Sequence, residues 1–437
     1  MIQVNIMISL IRNFTVFKLK IISILKWSEK YTKTDMVYFT KSSFWVTFGQ
    51  IASSTLSLIL IILFANLLPK ETYGTYKYIL SIVGMLNVFT LTGMNSAVTR
   101  AVANGNDGTL RASVKYQLKW NLLMFVVFLI ISGYYFFHDN KLFAISFLIF
   151  AIFTPLTLAF NTYGSYLEGK KNFKFANIAS VISSFIYIIG ITVAILLSGE
   201  VIWLVIAYAI TTFFSTFLFY LIVLYKFKPP TKSDVEDTLK YGRELTFISF
   251  ISPVASQIDK IILAHFWGPA QLAVYSLATA VPDRATSFIK NLVGIGFPKF
   301  SIKTAEEINT IFYKRIFQGF FIGTITAIIY IFLAPYVFKY LLPQYLDSIF
   351  YSQILAVSFI FAMPNRYLSL IMVSQRFSRQ IFISSIIQNI TRIILYLILG
   401  IWGGIMGLVL AFVSMSFFGL IINIIIWKKI KDTKYLY

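Results

Sequence analysis

The chain has 437 residues, of which 58% are hydrophobic and 13% charged, with a mean hydropathy of +0.78 and a formal net charge of +21. Soluble domains carry about twice that charged fraction, and apolar runs of membrane length must be helical, so the composition describes an all-α polytopic membrane protein. The absence of cysteine excludes disulfides, iron–sulfur clusters and thiolate-held zinc, and two histidines, His138 and His265, cannot form a histidine cluster.

Residues 1–41 read as a basic, amphipathic cytoplasmic lead. In Phe14–Trp27 apolar positions alternate with Lys18, Lys20 and Lys26, a pattern suited to lying on the inner leaflet. A start near Met36 is the alternative. Twelve apolar runs then reach the ~20 residues needed to cross a bilayer: 43–68, 75–99, 116–137, 142–165, 175–198, 202–225, 244–266, 271–297, 316–340, 348–372, 380–402 and 404–427. Residues 226–243 form the longest polar stretch between them, with Pro229, Pro230 and the acidic run Asp234-Val-Glu-Asp237. That linker divides the chain into an N-terminal lobe, 42–225, and a C-terminal lobe, 244–427, of six spans each; 428–437 is a cytoplasmic tail. Sliding the sequence by 199 residues lays the outer turn Ala65–Tyr76 over Ala264–Tyr275, a weak echo that suggests two pseudo-symmetric six-helix lobes with a site between them.

With both termini cytoplasmic, 29 of the 38 Lys and Arg residues fall in inner segments, and four are placed outside: Lys70, Lys77, Lys141 and Lys339. This asymmetry fixes the orientation. It also explains the basic balance without a nucleic-acid partner, since the positives lie in alternate loops. Trp45, Trp120, Trp203, Trp267, Trp402 and Trp427 fall near span ends, as an aromatic belt requires. Outer loops are about eight residues or shorter, which leaves no room for an external catalytic domain.

The other five cations, Lys260, Arg284, Lys290, Arg366 and Arg392, sit inside spans of the second half, with Asp259 and Asp283 as the nearby acids. An isolated Arg or Lys at the bilayer centre costs roughly 2.5–3.5 kcal/mol, so five left uncompensated would cost on the order of 15 kcal/mol. Such groups face a protein interior or a water-filled path. Two acids cannot neutralise five cations, and the surplus suits an anion, with arginine favoured for bidentate contact to phosphate. Pairing of Asp259 and Asp283 with two of the cations, simply to hold the bundle together, is the competing structural reading. At positions matching these charges the first half has neutral groups, and it supplies Gln50, Asn87 and Asn95 as candidate polar lining. Asp259 and Asp283 are also candidates for coupling to H⁺ or Na⁺. No span carries a convincing nucleophile–base pair or metal-ligand set, so neither catalytic residues nor a metal or cofactor is expected.

Three features of Phe44–Asn104 are distinctive. These are Gly49-Gln50 in the inner third of span one, the outer turn Leu68-Pro-Lys-Glu-Thr-Tyr-Gly-Thr-Tyr76, and Thr92-Gly-Met-Asn-Ser-Ala-Val-Thr-Arg100 closing span two. Together with Ile258-Asp-Lys-Ile-Ile-Leu-Ala-His-Phe-Trp-Gly268 and Leu272-Ala-Val-Tyr-Ser276, they resemble the polysaccharide flippases, the Wzx-like branch of the multidrug, oligosaccharidyl-lipid and polysaccharide exporter superfamily. The resemblance implies a V-shaped pair of six-helix lobes in a bacterial cytoplasmic membrane, flipping an undecaprenyl-pyrophosphate-linked oligosaccharide for O-antigen, capsule or a related surface polysaccharide. It implies a polyprenyl-linked oligosaccharide and membrane lipids as partners, with polymerase or ligase components alongside. Arg284, Lys290, Arg366, Arg392 and Lys260 are assigned to the pyrophosphate-sugar headgroup by charge and depth. A multidrug or metabolite exporter, or a lipid-II-type flippase, are alternatives within the superfamily. A membrane glycosyltransferase or polymerase is a more distant one, whose expected long outer loop with paired acids is missing.

Overall fold

A computed structural model of the chain describes residues 26, 36–230, 235–294, 305–375 and 377–434. Phe14–Trp27, read as a leaflet-bound lead, therefore lies outside the described residues apart from Lys26. Each of the twelve sequence-derived spans overlaps a helix. Spans one to six are Met36–Leu67, Lys70–Leu86 continued by Met94–Ala103, Thr109–Trp120 with Leu122–Phe137, Lys141–Phe160 with Thr162–Gly169, Phe173–Leu197 and Val201–Phe227. Span seven comprises Glu236–Ser249, Ile251–Ala255 and Ile258–Trp267; spans eight, nine and ten follow as Pro269–Gly294, Ala305–Leu341 and Ser348–Ala356 with Ser358–Ser374. Spans eleven and twelve form Ser378–Lys434, which folds back at Gly404, where φ is +53°. The reversal brings Gly400 beside Leu408, and Asn423 beside Ser384.

Apolar side chains point outward as readily as inward. Phe137 is 84% exposed and Trp402 85%, a pattern that only a lipid solvent makes favourable. Among the described residues, nine helices are long and apolar enough to cross a membrane, and ten if the bent pair of span two is counted as one. That pair turns by 59° between Lys70–Phe89 and Met94–Ala103. No proline lies there; Gly93 sits at the turn and its N–H leaves the helix to meet Thr246 Oγ1 at 3.0 Å. Pro253, expected to kink span seven, falls in its short middle helix, between breaks near Phe250 and Gln257. The helix of span seven begins at Glu236, inside the stretch read as linker, and Glu236 and Asp237 occupy its first turn where a helix N-terminus favours negative charge.

The halves touch at both ends. Outside, Asn66 Nδ2 donates to the Leu341 carbonyl at 2.9 Å, Gln344 Nε2 donates to the Asn66 carbonyl at 3.1 Å, and Lys70 pairs with Asp347 at 3.2 Å. The conspicuous outer turn of span two has a packing purpose: Tyr73 and Tyr76 stack on Phe64 with ring centroids 5.2 and 5.5 Å away, while a Cβ at Gly74 would overlap the Pro269 carbonyl. Inside, the first helix of span seven packs on the inner piece of span two, with Thr92 and Ser249 hydroxyls 3.1 Å apart and the Arg100 guanidinium 4.9 Å above the Tyr241 ring.

Candidate functional site

The second half encloses a cavity of about 270 Å³. Span eight contributes Asp283; span ten contributes Ser358, Ala362, Asn365, Arg366 and Ser369; span eleven contributes Gln388, Arg392 and Tyr396; and span twelve contributes Phe412, Met415 and Ser416. Within spans ten to twelve the lining residues recur at helical spacing, with Asn365–Arg366 and Met415–Ser416 as adjacent pairs, so each helix offers one face. A second space of about 210 Å³ adjoins it and shares Asn365, Ser369, Gln388 and Arg392. Arg366 and Arg392 thus reach the same cavity from different helices, with Asp283 on its wall. The Nε atoms of both arginines are buried without a hydrogen-bond partner. Donors on a cation left in that condition are costly.

Asp259 and Lys260 occupy a different place. Asp259 is 7% exposed, and its Oδ2 accepts the Tyr275 hydroxyl at 2.9 Å. Lys260 Nζ lies 3.9 Å from the other carboxylate oxygen and donates to Gln257 Oε1 at 3.1 Å and to the Ser256 carbonyl at 3.3 Å. Asp259 therefore ties span seven to span eight through the Tyr275 hydroxyl, and the cation beside it is its own chain neighbour, Lys260.

The sequence reading placed Lys77 outside the membrane. The helix of span two starts at Lys70, so Lys77 lies two turns along it. Seven residues at 1.5 Å each carry Lys77 about 10 Å inward. Gly74, Lys77, Ser81 and Gly84 share one helical face. Gly74 meets Pro269 at one end of that face, and Gly84 lies against the Gln257 side chain at the other. Lys77 is thereby turned toward spans seven and eight, where the charges of Lys260 and Arg284 act on it. The first half is not purely neutral on this path. The signal available in the sequence was helical spacing from Gly74, which loop counting overrode.

The remaining assignments scatter. Lys290 lies on the helix of span eight, and its side chain is outside the described residues. Gln50 donates to Ser54 Oγ within its own helix at 3.5 Å. Asn87 and Asn95 flank the bend of span two, each with a buried side-chain oxygen lacking a hydrogen-bond partner. None of these three lines either second-half cavity. Among the described residues no cluster of three or more metal-ligating side chains occurs.

A family model described as "Polysaccharide biosynthesis protein" matches residues 39–283, more than half of the chain. The chain belongs to that family. None of the curated proteins matches the chain in sequence. Among solved structures, the inward-facing conformation of a multidrug resistance MATE transporter superposes with a TM-score of 0.64 at 16% identity, over 87% of this chain and 95% of that one. The lipid II flippase MurJ, in an inward closed conformation, gives 0.62 at 17%, over 89% and 87%. A superfamily transporter from Pyrococcus furiosus, described as having a binding pocket of reverse polarity, gives 0.59 at 16%, over 90% and 96%. The family and the membrane-length apolar helices describe a multi-pass membrane protein of polysaccharide biosynthesis, built on the fold that those transporters share.

Proposed function

We propose that the protein flips an undecaprenyl-pyrophosphate-linked oligosaccharide across a bacterial cytoplasmic membrane by alternating access, supplying a surface polysaccharide such as O-antigen or capsule. The observation that carries this reading is the convergence of Arg366 and Arg392 on one cavity of a polysaccharide-family transporter. Both phosphates of such a lipid are ionised at neutral pH, and the planar guanidinium fork matches their oxygens. The headgroup enters from the inner leaflet, the cations offset its charge, and the lobes rock to release it outside while the polyprenyl tail stays in lipid. Both termini are assigned to the cytoplasm from the distribution of basic residues. Polymerase or ligase components would receive the product.

Coupling to H⁺ or Na⁺ is assigned to Asp283, which lines the cavity, in preference to Asp259, which does not line it. A multidrug exporter would favour an acidic cavity for cationic drugs, whereas two arginines face one acid here. The test is complementation of cells lacking a surface-polysaccharide flippase, followed by extraction of lipid-linked intermediates from each leaflet. Wild type restores export, and Arg366→Ala and Arg392→Ala accumulate the intermediate on the inner leaflet. Normal export by both variants at normal expression would overturn the reading. Rescue of a peptidoglycan-precursor flippase mutant instead would favour the lipid-II alternative.

A further inference from the structure

Beside the arginines lies a set of amides whose hydrogen bonds are only partly used. Asn423 Nδ2 donates to Asn365 Oδ1 at 2.5 Å, and Asn423 Oδ1 accepts from Ser384 Oγ at 2.5 Å. Gln388 Nε2 donates to Ser384 Oγ at 2.7 Å and to Asn423 Oδ1 at 3.4 Å. These bonds use the oxygen of Asn365 and the nitrogen of Gln388. Among the described residues they leave Asn365 Nδ2, a donor, and Gln388 Oε1, an acceptor, without a partner. Both spare atoms lie close to the backbone of Gly419. A Cβ built there would lie 3.1 Å from Gln388 Oε1 and 3.4 Å from Asn365 Nδ2. The lack of a side chain at Gly419 lets both amides approach that helix, and both residues line the two adjoining cavities.

A donor and an acceptor side by side match a hydroxyl, which needs one of each, and neighbouring hydroxyls are common to hexopyranoses. The arginines are close. Arg366 follows Asn365 directly, and Arg392 is one helical turn beyond Gln388, a separation of about 5–6 Å on one helix face. That spacing is of the order of the link between a sugar ring and the phosphate it carries. We infer that Asn365 and Gln388, spaced over Gly419, form a hexopyranose subsite that reads the first sugar of the headgroup while Arg366 and Arg392 hold its pyrophosphate. This inference rests on the proposed flippase function.

The test compares two probes on the full-length protein in nanodiscs: farnesyl pyrophosphate, and farnesyl-pyrophosphoryl-glucose, which adds only the sugar. Wild type is expected to bind the glucose-bearing probe about tenfold more tightly, the equivalent of about 1.4 kcal/mol. Gly419→Ala, whose methyl would displace both amides, and Asn365→Ala, which removes the donor, should each bring the ratio of affinities close to one. If Gly419→Ala fails to fold in a thermal-unfolding assay, Asn365→Ala decides. An equal affinity of wild type for both probes would overturn the subsite; loss of farnesyl pyrophosphate binding in Arg392→Ala would then still support the anion site. A sugar preference retained in the variants would overturn the subsite as well. Binding of neither probe to wild type would sink the flippase reading and the subsite with it.

Discussion

The backbone of Gly74 lies against the carbonyl of Pro269, so closely that no side chain can stand between spans two and eight at their outer ends. This contact and the Lys70–Asp347 pair close the outer side. The proposed alternating-access cycle would break both when the path opens at this end.

Gly74→Leu should therefore favour separation of the halves. Overpacking of a tight contact costs about 1–3 kcal/mol, enough to shift a two-state equilibrium by about five- to a hundredfold. The chain has no cysteine, so the pair Lys70→Cys and Asp347→Cys can report closure directly. The pair should cross-link readily in the otherwise unaltered chain and poorly once Gly74→Leu is added. Equal yields would show that the glycine does not control this contact.

Removing the Tyr275 hydroxyl tests the tie between spans seven and eight. Tyr275→Phe leaves Asp259 buried with Lys260 3.9 Å from one oxygen and nothing on the other. An orphaned buried acceptor costs about 1–3 kcal/mol, more for a charged one, so the thermal-unfolding midpoint should fall. An unchanged midpoint would mean that water replaces the hydroxyl.

Lys77→Gln should slow export although it touches neither arginine. It removes the cation that the first half turns toward Lys260 and Arg284. The expected result is accumulation of the lipid-linked intermediate at normal protein levels, with Lys77→Arg retaining export. Wild-type rates in Lys77→Gln would exclude this lysine from the path.

Arg392→Lys separates charge from shape. Lysine keeps the positive charge and loses the bidentate fork, and a hydrogen bond to a charged group is worth roughly 1.5–3 kcal/mol. Farnesyl pyrophosphate binding should weaken by about ten- to a hundredfold, less than in Arg392→Ala. Equal losses in the two variants would argue for a geometric requirement alone.

The spans were legible because lipid demands apolar side chains along a helix's whole length. The run 43–68 needed nothing beyond its composition, and the turn at Gly403-Gly404 was already marked as the boundary of the last two spans. Burial of cations was legible by the same logic, since Arg366 and Arg392 are costly anywhere except a cavity. Which cations meet was not legible. Arg366 and Arg392 come together only because span eleven packs beside span ten, and Lys260 and Arg284 lie instead toward Lys77 across the boundary between halves. The bend of span two was also hidden, since it has no proline and depends on Gly93 reaching Thr246, a residue far along the chain. The start of span two was placed at 75, whereas its helix begins at Lys70, because the outer turn before it is short.

Span seven is interrupted twice, and its pieces have different attachments. Glu236–Ser249 is fastened to the inner part of span two through Thr246, Ser249 and Tyr241, whereas Trp267 at the far end donates to the Gly400 carbonyl between spans eleven and twelve at 3.2 Å. The attachments of span seven therefore change hands near Pro253, inside the span, and not in the stretch 226–243 where the sequence halves divide. The first helix of span seven follows the division in sequence yet is fastened to the first half, so the proposed alternating-access cycle would have to flex this one rod.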